Sequence, residues 1–222
     1  MRRLVILRPE PGAGQTLERA QQRGLEAISM PLFEVQPVDW SVPASGAFDG
    51  LLVTSANAMR HGRRHLETLR HLPAYAVGEA TAEAVRSQGL EVAATGDGGL
   101  DQLLSRLPAG LRLLHLAGED RREARSARQA ITSVTVYRSE PVERPGDLAQ
   151  LADAVALIHS PRAGARLAEL VSDRSCTAVA AISPAAAAAC GEGWERVEAA
   201  GEPTDEALLS LAERLCKDSG AT

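Results

Sequence analysis

Six places in the sequence join the end of a short apolar run to residues that can cap a helix or hold an anion. They are Arg8-Pro9, Thr54-Ser55, Gly78-Glu79, Ala117-Gly118, His159-Ser160 and Ser183-Pro184. A serine suits the N-cap because its oxygen accepts from a free N–H of the first turn. A proline suits the next position, where no N–H is needed. Ser160-Pro161 and Ser183-Pro184 have that form, while Ser55-Ala56-Asn57 and Gly78-Glu79-Ala80-Thr81 open helices without the proline. A helix N-terminus presents unpaired N–H groups and the positive end of the helix dipole, so it attracts carboxylates and phosphates. The chemistry implied is the holding of a polyanion, largely by backbone donors. Arg162, Ala185 and Ala186 lie in the first turns behind the Ser-Pro pairs.

Other chemistries find less support. There is no GxxxxGK[ST] segment, and Gly12-Ala13-Gly14 fails the GxGxxG pattern at Leu17. Gly96-Asp97-Gly98-Gly99 reads as a loop. His61 and His65 have the spacing of a metal pair, but they lie beside Arg63 and Arg64 without the glutamate of HExxH and read as a solvated face. His159 reads as a packed or capping residue, and the run Asp120–Arg128 as a salt-bridged solvated helix. Tyr137 ends a strand beside a domain crossover, where a phenol can donate or accept a proton.

The elements that must position these residues alternate strand and helix throughout. Expected helices include Gln15–Arg23 after a turn over Arg8–Gly14, then Ala56–Leu72 and an arginine-rich Asp120–Ala130. Expected strands include Leu25–Met30 and Ser133–Tyr137. The alternation predicts an α/β fold of parallel sheets covered on both faces. With 45% apolar but only 3% aromatic residues among 222, the core is built from Leu, Val, Ile and Ala. Met1–Arg8 is too short in apolar residues for a secretory signal and reads as the first strand of a cytoplasmic protein. Nothing approaches the ~20 apolar residues of a membrane span. The scattered Cys176, Cys190 and Cys216 read as unpaired thiols. A net charge of −5 disfavours a nucleic-acid partner, and Lys217 is the one lysine, so an anion meets guanidinium and backbone N–H.

The chain also repeats itself. Ser55 recurs as Ser160, Tyr75–Glu79 as Ala180–Pro184 and Leu103-Leu104 as Leu208-Leu209, each 105 residues on. Proline-framed stretches at Pro31–Val38 and Ser139–Gly146 occupy equivalent places. Two similar domains are expected, joined by a two-stranded linker: a discontinuous one over 1–36 plus 143–222, and an inserted one over 37–142. A ligand would be held beyond the carboxyl ends of the strands, in a cleft between the domains.

Val53-Thr54-Ser55-Ala56-Asn57-Ala58, Tyr75–Ala82, Val134-Thr135-Val136-Tyr137 and Ile158-His159-Ser160-Pro161 together resemble the uroporphyrinogen-III synthase family, as does the permuted two-copy layout. The resemblance covers essentially the whole chain. It implies two flavodoxin-like domains and conversion of hydroxymethylbilane, a linear tetrapyrrole with eight carboxylates, into uroporphyrinogen III with loss of water and inversion of ring D. It implies no cofactor and no metal. A monomer is expected, because no long exposed apolar helix face is evident, with no nucleic-acid or membrane partner and only transient contact with the preceding pathway enzyme. Tyr137 matches the family tyrosine proposed to assist the leaving hydroxyl as an acid. Ser55, Thr81 and Ser160 match positions on the family's cleft walls, and Asn57 stands where some members have arginine. The second-copy counterpart of Thr81 is Ala186, where members often carry threonine, so no hydroxyl at that place is essential here. The alternative readings are a non-enzymatic two-domain small-anion binding protein and, with a longer chain and a nucleotide motif still wanting, a glycosyltransferase.

Overall fold

A computed structural model of the chain describes residues 1–43, 48–121 and 123–218. Asp39–Gly46 is polar and turn-rich by sequence; its end, and Arg122 of the arginine-rich run, lie outside the described residues. The chain begins with β1 (Leu4–Ile6), α1 (Gly12–Gln22), β2 (Ala27–Ser29) and β3 (Phe33–Pro37). It continues through β4 (Gly50–Val53), α2 (Ala56–His61), β5 (Ala74–Val77), α3 (Glu79–Ser87), β6 (Val92–Gly96), α4 (Leu100–Arg106), β7 (Arg112–Gly118) and β8 (Ala130–Pro141). The last part is β9 (Val155–Ile158), α5 (Pro161–Leu170), β10 (Ala178–Ala181), α6 (Pro184–Ala189), β11 (Arg196–Ala199) and α7 (Asp205–Lys217). None of the described helices is long and apolar enough to cross a membrane.

The chain divides into two compact units, Met1–Glu34 with Glu140–Thr222, and Val35–Ser139. The first holds a sheet of order β11-β10-β9-β1-β2, the second a sheet of order β3-β8-β7-β4-β5-β6. Apart from β3, the two orders are the same, with β6, β5, β4, β7 and β8 standing where the first sheet has β11, β10, β9, β1 and β2. Leu51 pairs in parallel with Ala74 and Leu114, as its counterpart Ala156 pairs with Val179 and Val5. The chain passes between the units within β3 and within β8, which are neighbouring strands.

The central strands β1, β4, β9 and β10 are buried at every residue, as continuous apolar runs in a doubly covered parallel sheet must be. Their side chains alternate between faces. Val5, Ala156, Ile158 and Val179 enter one core of the first sheet, and Leu4, Ile6, Val155, Leu157 and Ala180 the other.

Four local expectations are corrected. Gly12-Ala13-Gly14 is the first turn of α1 rather than part of the preceding turn, with Ala13 N–H donating to Pro9 O. The helix from Ala56 ends at His61, and a 3-10 helix over Arg63–Leu69 follows. Gly62 lies where a Cβ would meet Ala58 O at 2.5 Å and Val136 at 3.3 Å, so the chain turns at the one residue that fits against β8. His61 and His65 therefore do not share a helix face, and His65 Nε2 bonds Trp40 O at 3.0 Å. The arginine-rich segment forms no helix among its described residues. It has no apolar stripe to bury and is held instead by Asp101, which accepts from Arg125 N–H, and by Gln129, whose Nε2 donates to the carbonyls of Leu104, Leu107 and Pro108. β8 runs from Ala130 to Pro141, so Tyr137 stands within it and not at its end, because strands on both sides extend the pairing.

Candidate functional site

Parallel strands bring their carboxyl ends to one edge of a sheet, and each unit has such an edge. In the first unit Arg8 follows β1, His159 and Ser160 follow β9, and Ser183 follows β10. Ser160 Oγ accepts from Ala163 N–H at 3.2 Å, and Ser183 Oγ from Ala186 N–H at 3.3 Å. Proline occupies the first helical position behind both serines, and Thr204 caps α7 in the same way. In the second unit Ser55 Oγ accepts from Asn57 N–H at 3.2 Å. Here the likeness between the copies stops. α3 and α4 are preceded by Gly78 (φ 82°) and Gly99 (φ 88°), where the first unit has Ser183 and Thr204. With no side chain to accept from it, the first turn of α3 keeps its leading N–H groups uncapped by a hydroxyl.

Of the residues expected at the edges, Glu79, Ala80, Pro161, Arg162 and Ala185 are exposed, and Arg8, Pro9, Ser55, Ala56, Asn57, Gly78, Ser160 and Ser183 are half-buried. Thr81, Gly118 and Ala186 are buried. Ala186 packs into the core between α5 and β10, so any contact it makes outward is through its backbone. Glu79 is paired with Arg86 at 2.6 Å, and its carboxylate repels an anion that its N–H would attract. Arg162 lies over the Phe33 ring at 4.5 Å, a contact that fixes the direction of an otherwise long and mobile cation. Asn57 Oδ1 accepts from Arg60 at 2.9 Å.

Two polar constellations are not visible in the residue order. At the first edge, Asp205 accepts from Thr16 Oγ1 at 2.9 Å, Arg19 Nη1 at 2.6 Å, His159 Nε2 at 2.9 Å and, more distantly, Arg8 Nη1 at 3.4 Å. Burial pushes its carboxyl up, but the bonds from His159, Arg19 and Thr16 prevail and hold it well below the usual carboxylate range. Burial depresses the basicity of His159, and the Asp205 bond pulls the other way. Arg8 lies flat across Gly12, where a Cβ would be 2.4 Å from its Nε. In the second unit, His115 bonds Thr54 Oγ1 at 3.0 Å and Ser133 Oγ at 3.2 Å, behind the edge that Ser55 forms.

Tyr137 is half-buried within β8, beside the last residue of β7, with its ring centroid 6.3 Å from that of His61. Burial, then the charges of Arg60 and Arg63, lower the basicity of His61. The phenol ring is thus set among a weakly basic imidazole and apolar side chains. Among the described residues no group of three or more His, Cys, Asp or Glu is placed to hold a metal ion.

A family model described as uroporphyrinogen-III synthase HemD matches residues 14–210. A uroporphyrinogen-III synthase from Chlorobaculum parvum (strain DSM 263 / NCIMB 8327) is 27% identical over 101 residues, a stretch that spans 41% of this chain and 41% of the relative. The uroporphyrinogen-III synthetase structure from Helicobacter pylori 26695 superposes with a TM-score of 0.67 at 18% identity, over 97% of this chain and all (100%) of that one. A mutant uroporphyrinogen III synthase from Thermus thermophilus gives a TM-score of 0.51 at 17% identity, with 97% of this chain and 100% of that chain covered. At these identities the two structures share the fold.

Proposed function

The chain belongs to the uroporphyrinogen-III synthase HemD family, and from that membership we propose that it closes hydroxymethylbilane to uroporphyrinogen III in tetrapyrrole biosynthesis. The observation that carries the reading is the family match over residues 14–210, which takes in the carboxyl-end edge of the second sheet and, in the first, the strand ends at Ser160 and Ser183. The donors on those edges suit a substrate with eight carboxylates. They include the first turns of α3, α5 and α6 and the guanidinium groups of Arg8 and Arg162.

The chemistry asks little of side chains. Loss of the hydroxyl from ring A gives a resonance-stabilised azafulvene cation. Ring D attacks through its substituted carbon, and the spiro intermediate fragments and recloses with ring D inverted. Tyr137 gives its proton to the departing hydroxyl, which leaves as water, and the proton lost from the ring carbon at reclosure restores the balance. The remaining work is to fold the linear chain so that ring D meets the cation, a matter of orientation. We further propose that the protein is a cytoplasmic monomer that takes its substrate in transient contact with the enzyme of the preceding step.

The test is to supply hydroxymethylbilane and resolve the product isomers. Isomer III is expected. Isomer I alone, the product of spontaneous closure, would remove the reading and favour a protein that only binds anions.

A further inference from the structure

Tyr137 is aimed by an irregularity in its strand. The register of β7 and β8 pairs Ala117 with Thr135 but Gly118 with Tyr137, so Val136 is an extra residue in β8. Such bulges are rare between parallel strands, and they recur where a side chain is re-aimed beside a site. Successive residues of a regular strand point to opposite faces. Val136 and Tyr137 are consecutive, yet both pack on the same core cluster, with Met59, Leu114 and Leu116. The bulge has turned the tyrosine onto the face its neighbour already occupies.

Gly118 receives it. A Cβ on Gly118 would stand 2.7 Å from Tyr137 Cζ and 2.8 Å from its Oη, closer than real carbon contacts allow. The phenol end of the ring, and not its stem, lies across the glycine. Glu119 N–H donates to Tyr137 O at 3.0 Å, which pins the backbone of both residues beside this contact.

We propose that Gly118, together with the bulge at Val136, is the positioning element that seats the Tyr137 phenol for the ring closure. The inference rests on the role given to Tyr137 above. Any side chain at 118 displaces the hydroxyl while leaving the carboxylate donors of both sheet edges in place.

The test compares wild type, Gly118→Ala, Tyr137→Phe and the double variant in the synthase assay. Gly118→Ala is expected to lower kcat about tenfold with KM little changed, and in the Tyr137→Phe background to change kcat less than about twofold, the signature of residues acting as one unit. An equal loss in both backgrounds overturns the inference alone, as does an unchanged kcat in Gly118→Ala. A Tyr137→Phe enzyme as fast as wild type overturns the role of Tyr137 and the inference with it. A second cycle, read by thermal unfolding, covers a variant that folds poorly. Gly118→Ala should lower Tm beside Tyr137 and leave it unchanged beside Tyr137→Ala, where the ring is gone. Equal losses in that cycle mean that no seat exists and overturn the inference.

Discussion

Thr54 Oγ1, just past the end of β4, and His115 Nε2 on the adjacent strand β7 lie 3.0 Å apart, and the second ring nitrogen of His115 meets Ser133 Oγ on β8. The imidazole is 3% exposed, and burial, with Arg121 nearby, pushes its pKa down to about 4. The unfolded chain binds this proton near pH 6.5 and the folded chain does not, so stability rises with pH between the two values. Urea unfolding at pH 7 and pH 5 should therefore differ by about 2 kcal/mol from this residue. His115→Gln should lose that part of the difference.

Asp205 ties α7 to α1 and to the end of β9 through three close hydrogen bonds. Asp205→Ala should cost on the order of 3 kcal/mol, because it strands the His159 and Thr16 partners as well as removing charged bonds. Because the folded carboxyl is held low, its contribution is present above pH ~4 and fades as the pH falls below that. Chemical denaturation of Asp205→Ala across pH 3 to 7 should show a flatter curve than wild type. A parallel curve would place the acid response elsewhere.

Tyr137→Phe should lower kcat by about 100-fold and leave KM near its wild-type value, as loss of a proton donor used only in the transition state predicts. Steady-state kinetics with isomer analysis decides it. The residual product should still be isomer III, because the fold of the substrate is set by the carboxylate donors.

The copies should answer differently at equivalent helix starts. Ser160→Ala should cost about 1 kcal/mol through the lost cap. Gly78 has a φ of 82° with a ψ of 148°, a region nearly reserved for glycine, and a Cβ placed on it would find nothing within 4 Å, so Gly78→Ala should cost about 1–3 kcal/mol through the backbone alone. Urea midpoints of the two variants give both values.

Gly164 lets α5 approach α6, since a Cβ there would meet Ala186 O at 2.8 Å and Cys190 Sγ at 2.9 Å. Gly164→Ala should destabilise by about 1–3 kcal/mol, the cost of overpacking against backbone. An unchanged midpoint would mean that the two helices separate freely.

What can be read from the residues alone follows the range of the physics involved. Ser160-Pro161 and Ser183-Pro184 announce helix starts because capping is settled within four residues. The 105-residue repeat fixes the fold class because the same apolar runs return in the same order. The helix from Ala56 reads past Gly62 because its stop is a contact with Val136 in a distant strand. The segment from Asp120 reads as helix because its residue types favour one, although no apolar stripe gives such a helix anything to cover. Asp205 stays hidden because its partner His159 lies 46 residues away, and the Val136 bulge because a register exists only between two strands.

The permuted layout also sets a schedule for the growing polypeptide. β1 pairs with β9 at Leu4 and Val155, so β1 is made about 150 residues ahead of its central neighbour. At synthesis rates of roughly 5–20 residues per second, β1 and β2, which pair with each other, wait on the order of ten seconds for the strand that joins them to the rest of their sheet. In that interval Val35–Ser139 is completed and can close its own sheet. β1 and β2 are thus made before the inserted unit but enclosed after it, and the inserted half of the protein can mature before the half whose sequence flanks it.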